Sequence, residues 1–403
     1  MKYGRAKIET LLNQYGAPLY VFDETGFTEN YQHLDQAMTS LYHKYRAAYS
    51  FKTNYTPYIC KTVKELGAYA EVVSGMEYDL ARSLGFPAEQ IIFNGPDKGD
   101  AGIEAFLQGS IVNADHLDEL REICSAAKNH PDQEYKIGFR VNLDIGQGFV
   151  SRFGMDEADF AKAFQMVSET ENLKVMGLHC HISRCRGRDA WKKRTEYMLS
   201  LADRFFDGCP EYIDLGSGMF GSMAPEFSAQ FADVPTYEEY AEVTAGLVAE
   251  HYKDSEEPVL FTEPGTTLIN RYVDCVTRVE TIKSIHGHSF AVLNASIHNL
   301  GETALLKRLP VQVIPGGAPQ TYYDSIDLTG YTCLEQDVLF PDLQGNLAEG
   351  DYIVFGNTGG YSTVLKPPFI RPDCAMIAEK PDGTTELIKR RETNEDVFRT
   401  YIL

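Results

Sequence analysis

Four stretches of the chain carry residue types that could meet in one reactive site. Ala47-Ala48-Tyr49-Ser50-Phe51-Lys52-Thr53-Asn54 is an apolar and aromatic run that ends on a lysine. A buried strand that delivers an amine at its C-terminal tip places it where the active sites of α/β proteins sit. Gly177-Leu178-His179-Cys180-His181 brings two imidazoles to one strand face by period two. Tyr212-Ile213-Asp214-Leu215 runs into the turn Gly216-Ser217-Gly218. Glycines there let backbone N–H groups approach an anion, a phosphate above all. Val259-Leu260-Phe261-Thr262 ends on Glu263. An amine able to form an imine, set beside a phosphate cradle, points to pyridoxal 5′-phosphate (PLP). Each feature alone has a plainer reading: a strand-end lysine, a core histidine or a metal pair, a turn that only connects, an acid that caps a helix or faces solvent. No third ligand stands at a persuasive spacing, and no metal is expected.

These residues need a scaffold that gathers strand ends. From residue 47 short apolar runs alternate with helical segments: 47–52, 70–74, 91–95, 110–115, 136–142, 175–181, 212–216 and 259–263. Eight strand–helix units over about 220 residues predict an α/β fold with a (β/α)8 barrel. An open doubly wound sheet is the alternative. Lys52, Ser74, Asn94, Arg140, His181, Gly216 and Glu263 all fall at C-terminal strand ends, and one rim of polar tips favours the barrel. Beyond about residue 270 the pattern turns to strands separated by turns, a C-terminal β-rich domain. The expected division is 1–25 as an N-terminal strand joining the β domain, 26–268 as the barrel and 269–403 as the β domain.

Composition narrows the function. The chain has 403 residues, 43% of them hydrophobic, and 37 basic against 58 acidic residues give a net charge of −21. That charge argues against nucleic acid and anionic membrane as partners. No run approaches the roughly 18 apolar residues of a membrane span, and the N-terminus Met1-Lys2-Tyr3-Gly4-Arg5 is followed by no apolar signal core. Eight cysteines without CxxC spacing read as reduced thiols, so a cytoplasmic location is expected.

Six motifs in order carry a family resemblance: Tyr49-Ser50-Phe51-Lys52-Thr53-Asn54, Gly177 to Ile182, Asp214 to Gly218, Glu263-Pro264-Gly265, Cys333-Leu334-Glu335-Gln336-Asp337 and Gly359-Gly360-Tyr361. The chain resembles the PLP-dependent decarboxylases of the alanine-racemase-like fold (PLP fold type III), the diaminopimelate, ornithine and arginine decarboxylase group, with diaminopimelate decarboxylase the nearest. The resemblance implies that Lys52 forms the Schiff base and that His181 stacks on the pyridine ring. It places Gly216, Ser217 and Gly218 at the phosphate with Gly265, Thr266 and Tyr361, and Arg140 near the ring oxygen. It sets Glu263 at the pyridine nitrogen, where a carboxylate keeps the ring protonated and electron-poor. Alanine racemase, by resemblance, has an arginine there, so Glu263 argues for decarboxylation. Cys333 matches the cysteine that enters from the second subunit and reprotonates the carbanion, which implies a homodimer with shared active sites.

Three positions depart from the family pattern. Thr266 stands where an arginine is usual, exchanging a forked cation for a hydroxyl. Leu334 replaces the acid that meets the substrate's far amine, and Asp337 is also expected at the substrate. Ser183-Arg184 replaces Gly-Ser and opens the basic cluster Arg184, Arg186, Arg188. These changes imply an amino-acid substrate without a distal ammonium and with extra carboxylates, as in the siderophore-assembly branch that acts on citryl-diaminopropionate; a solvated loop edge is the plainer account of the arginines. The alternatives are meso-diaminopimelate decarboxylation for lysine biosynthesis, an amino-acid racemase, and a non-catalytic PLP-binding relative.

Overall fold

A parallel strand covered on both faces is mainly apolar, and the eight runs are so, with Glu71 and Asn113 as buried polar exceptions. The computed structural model describes residues 3–146, 148–365 and 368–402, so Met1 and Lys2 of the charged N-terminus lie outside the described residues. β1 (Leu19–Asp23) belongs to a separate sheet. The strands β2 (Tyr45–Ser50), β3 (Tyr69–Val72), β4 (Ile91–Phe93), β5 (Ile111–Ala114), β6 (Tyr135–Arg140), β7 (Leu173–His179), β8 (Tyr212–Asp214) and β9 (Val259–Thr262) pair in parallel and close, β9 returning to β2. Most of the expected polar tips lie one or two residues past the strands, in the loops of the C-terminal rim. Ser74 is one exception in kind: it is a helix N-cap whose hydroxyl accepts the Glu77 N–H.

Helices between the strands follow amphipathic spacing. In the helix Leu117–Lys128 the buried residues are Leu120, Ile123, Cys124 and Ala127, three and four apart. Burying Leu120 and Ile123 is worth about 2 kcal/mol each, and Ile123→Asp would set an unpaired charge against the barrel wall. Beneath the rim the barrel is filled by Ala48, Ile92, Ile111, Tyr212 and Phe261, with the Tyr212 and Phe261 rings 5.9 Å apart.

The chain divides into two compact units: Asn30–Gly221 with Ala232–Thr267, which holds the barrel, and Met1–Glu29 with Ser222–Phe231 and Leu268–Leu403. The second unit contains a nine-stranded mixed sheet. Within it β1 lies antiparallel to β10 (Val273–Ile285) and parallel to a late strand, Ala375–Glu379. β11 (His288–Leu293), β12 (Val311–Ile314), β13 (Thr321–Thr329), β14 (Val338–Leu347), β15 (Tyr352–Phe355), β16 (Ala375–Glu379) and β17 (Thr385–Lys389) complete it. Ile8 and Leu11 of the helix Arg5–Tyr15 pack on Leu19, Val21, Val276, Val354 and Ile377 to form its core. β13, β14 and β17 were not foreseen from sequence, because they are polar and half-exposed along their length. No helix among the described residues is long and apolar enough to cross a membrane.

Candidate active site

The barrel unit brings the expected amine and acid together through a buried polar layer. Lys52 sits in the short 3-10 turn Phe51–Thr53 directly after β2. Its Nζ donates to Ser50 Oγ at 2.7 Å and pairs with the carboxylate of Glu71 on β3, to which Ser50 also donates. The Lys52 side chain is 29% exposed while that of Glu71 is 1% exposed, so the amine opens to the rim from a sealed anchor. Glu71 is a site residue that the sequence reading missed. A lone acid inside the apolar run Ala70-Glu71-Val72-Val73 was the available signal, since a buried carboxylate requires partners.

From Glu71 the layer crosses the barrel. Asn94 Nδ2 donates to Glu263 Oε1 at 2.5 Å and reaches Glu71 Oε1 at 3.4 Å, and Asn113 Nδ2 donates to Asn94 Oδ1 at 2.8 Å. Tyr212 donates its hydroxyl to Asn113 Oδ1. Room for that last pair comes from Gly138 on β6, where a Cβ would fall 1.7 Å from the Tyr212 hydroxyl. Glu263 is 1% exposed, with His179 Nε2 at 3.4 Å. Burial pushes its carboxyl up, but the His179 imidazole and its hydrogen bond outweigh that and hold Glu263 well below the usual carboxylate range. Asp214 goes the other way: burial first, then the Glu263 charge, raises it well above that range. The pair thus consists of an ionised Glu263 beside a protonated Asp214. His179, Asp214 and Glu263 offer ligand atoms within 4.8 Å of one another, which is metal-like spacing.

His181 stands two residues past β7, and its Nδ1 accepts the Ser217 N–H at 3.3 Å. Burial, above the upward pull of Glu263, lowers the ring to about 4, so the imidazole is neutral near pH 7. The glycine turn lies against this segment. Gly216 (φ 62°) and Gly218 (φ 103°) occupy backbone conformations that L side chains rarely adopt. A Cβ at 216 would fall 2.3 Å from Cys180 O, and one at 218 would fall 2.4 Å from Ile182 O. Ser217 is buried. Arg140, at the end of β6, donates to Asp115 at 3.1 Å and stacks 4.6 Å above the Phe153 ring. Gly265 packs on the turn after β2, where a Cβ would meet Thr53 Oγ1 at 2.1 Å, and Thr266 opens the short helix Thr266–Ile269.

The three loop arginines do not act as one cluster. Arg188 pairs with Glu242 at 2.7 Å, and Arg186 stacks 5.4 Å from Phe220. Arg184 is exposed and lies 5.5 Å from the ring of Phe149, itself 45% exposed.

The remaining expected residues belong to the other unit. Cys333 is exposed and Leu334 half-buried, on the turn between β13 and β14. Asp337, expected at the substrate, is 3% exposed, and its carboxylate accepts Ile297 N–H at 2.7 Å, Thr332 N–H at 3.1 Å and the Thr332 hydroxyl at 2.6 Å. That carboxylate closes the turn carrying Cys333. Tyr361 adopts φ 60°, a left-handed conformation costing a side-chain-bearing residue about 1 kcal/mol or more.

Comparisons with known proteins identify the family. A family model described as "Pyridoxal-dependent decarboxylase, pyridoxal binding domain" matches residues 27–270. The diaminopimelate decarboxylase of Aquifex aeolicus is 26% identical, over 96% of this chain and 91% of that one. An L-glutamyl-(BtrI acyl-carrier protein) decarboxylase of Niallia circulans is also 26% identical, over 100% of this chain and 97% of that one. Among solved structures, a diaminopimelate decarboxylase from m. jannaschi matches with a TM-score of 0.85 at 24% identity, covering 98% of this chain and 94% of that one. A lysine/ornithine decarboxylase from Vibrio vulnificus gives 0.74 at 21%, covering 93% and 97%.

Proposed function

The chain belongs to the pyridoxal-dependent decarboxylases, and we propose that its substrate is an amino acid with a modified or polycarboxylate side chain rather than diaminopimelate. It is a PLP-dependent amino acid decarboxylase, a carboxy-lyase similar to diaminopimelate decarboxylase, on the alanine-racemase-like type III fold. The residues present fit the cofactor. They supply a half-open amine, a neutral imidazole, a buried ionised carboxylate, and the N–H groups of Ser183 and Gly218, which have no acceptor among the described residues.

Bound there, PLP supplies the sink for the electron pair left by departing carbon dioxide. Lys52 presents its amine to the cofactor's aldehyde, and Glu71 and Ser50 fix where that amine stands. Glu263 holds a proton on the pyridine nitrogen, because a neighbouring opposite charge favours the charged form. Asn94 orients Glu263, and His181 lies against the ring as a neutral plane. Gly216, Ser217 and Gly218 would cradle the phosphate with Gly265 and Thr266, and Asp115 would aim Arg140 at the ring oxygen. Cys333 returns a proton to the α-carbon, acting on the partner protomer's substrate in a homodimer with shared sites, while Asp337 holds its turn. All eight cysteines are free, which supports a cytoplasmic setting.

The observation that carries decarboxylation over racemisation is Glu263, a carboxylate kept ionised while wholly buried. The altered substrate rests on Leu334, which offers no charge to a distal ammonium, and on Arg184, an exposed cation suited to a carboxylate. Relatives of equal identity carry the names of two different substrates, so overall likeness does not choose between them. The test supplies purified protein and PLP with basic and citryl-type amino acids, including diaminopimelate and citryl-diaminopropionate, and measures carbon dioxide. Release from a polycarboxylate substrate is expected. Release from diaminopimelate alone overturns the substrate reading, and a mirror-image amino acid without carbon dioxide overturns the reaction.

A further inference from the structure

We infer that Arg194, a guanidinium sealed behind the turn Gly216-Ser217-Gly218, is a positioning residue for the cofactor's phosphate and supplies the positive charge that Thr266 cannot. The inference rests on the reading of that turn as the phosphate cradle.

Arg194 lies on the helix Arg188–Phe205 and is 0% exposed. Its guanidinium stacks 4.0 Å from the ring of Trp191, one turn earlier on the same face. Nη1 donates to Leu215 O at 2.9 Å and to Ser217 O at 2.8 Å, and Nη2 donates to Ile182 O at 2.9 Å. These three carbonyls belong to the two segments that frame the cradle. In a trans peptide the C=O and the following N–H point opposite ways. Drawing Ser217 O and Ile182 O inward therefore turns the N–H groups of Gly218 and Ser183 outward, and neither has an acceptor among the described residues.

Charge makes the second half of the case. Nε has no hydrogen-bond partner, and among the described residues no carboxylate pairs with this guanidinium. Arginine does not shed its proton in proteins, so a full cation stays buried against three carbonyl dipoles and the Trp191 ring, with no carboxylate hydrogen-bonded to it among the described residues. Such a site is costly unless an anion lies nearby, and the phosphate is the anion that the outward N–H groups would hold.

The test compares PLP with pyridoxal, which lacks the phosphate, on full-length protein stripped of cofactor and titrated by visible absorbance. Arg194→Met is expected to weaken PLP by about tenfold or more while leaving pyridoxal within twofold. Arg194→Lys keeps the charge and is expected to preserve the preference for PLP. Equal loss of both ligands in Met and Lys variants would reduce Arg194 to a loop clamp and overturn the proposal. Gly218→Ala separates the two readings: if it disturbs the preference and Arg194→Met does not, only the arginine proposal fails, and if neither does, the cradle is elsewhere. Should Arg194→Met not fold, competition by inorganic phosphate against PLP decides, since Arg194→Gln must lose it relative to the wild type.

Discussion

Replacing Glu77 by glutamine should make the protein more stable at alkaline pH and leave it nearly unchanged in acid. Glu77 lies in the first turn of the helix Gly75–Ser83, 4% exposed, and its carboxylate accepts the Val73 N–H at 2.7 Å. Burial, with the nearby Glu71 charge adding to it, lifts this acid from 4.5 to about 7 against the Val73 hydrogen bond and Lys52. A carboxyl whose folded-state pKa is raised favours folding below the unfolded value and loses that contribution as pH rises through the folded one. At about 1.4 kcal/mol per pH unit the cost above pH 7 approaches 3 kcal/mol. Glutamine keeps an oxygen for Val73 and removes the titration. The variant's advantage should therefore grow by about 2–3 kcal/mol between about pH 5 and about pH 8. Denaturant titrations of cofactor-free protein, followed by circular dichroism at both pH values, measure it. A difference that does not vary with pH, or one that grows toward acid, refutes the assignment of a buried, proton-holding Glu77. Turnover should stay within about twofold, since the hydrogen bonds that fix the Lys52 amine run to Ser50 and Glu71 and not to Glu77.

Glu263→Gln should retain PLP but lower the rate of carbon dioxide release by about a hundredfold or more, because the anion facing the ring nitrogen shifts its pKa by one to three units; unchanged turnover would remove Glu263 from the ring. Asp337→Ala leaves two backbone N–H groups and the Thr332 hydroxyl without their acceptor. It should cost about 3 kcal/mol in denaturant unfolding and speed alkylation of Cys333; an unaltered alkylation rate would show that the turn stands without it.

The barrel was readable from the chain because a strand covered on both faces is a mainly apolar run, and the helices between need only local periodicity. Lys52, Arg140, His181, the Gly216–Gly218 turn and Glu263 were readable for a related reason: a polar residue at the end of such a run falls on the rim. Leu334 and Thr266 stood out only against the resemblance. Asn113, Tyr212 and Arg194 were not readable, nor were the partners of Glu71 or the commitment of Asp337 to its own turn. What those residues do depends on partners far away in sequence, such as Asn94 beside Glu263 or Gly138 beneath Tyr212. A buried charge or amide is tolerated only where the fold delivers its complement, and which residue provides that complement is settled by barrel closure and strand register. The same holds for β13 and β14, whose half-exposed polar residues acquire a strand's meaning only once they pair.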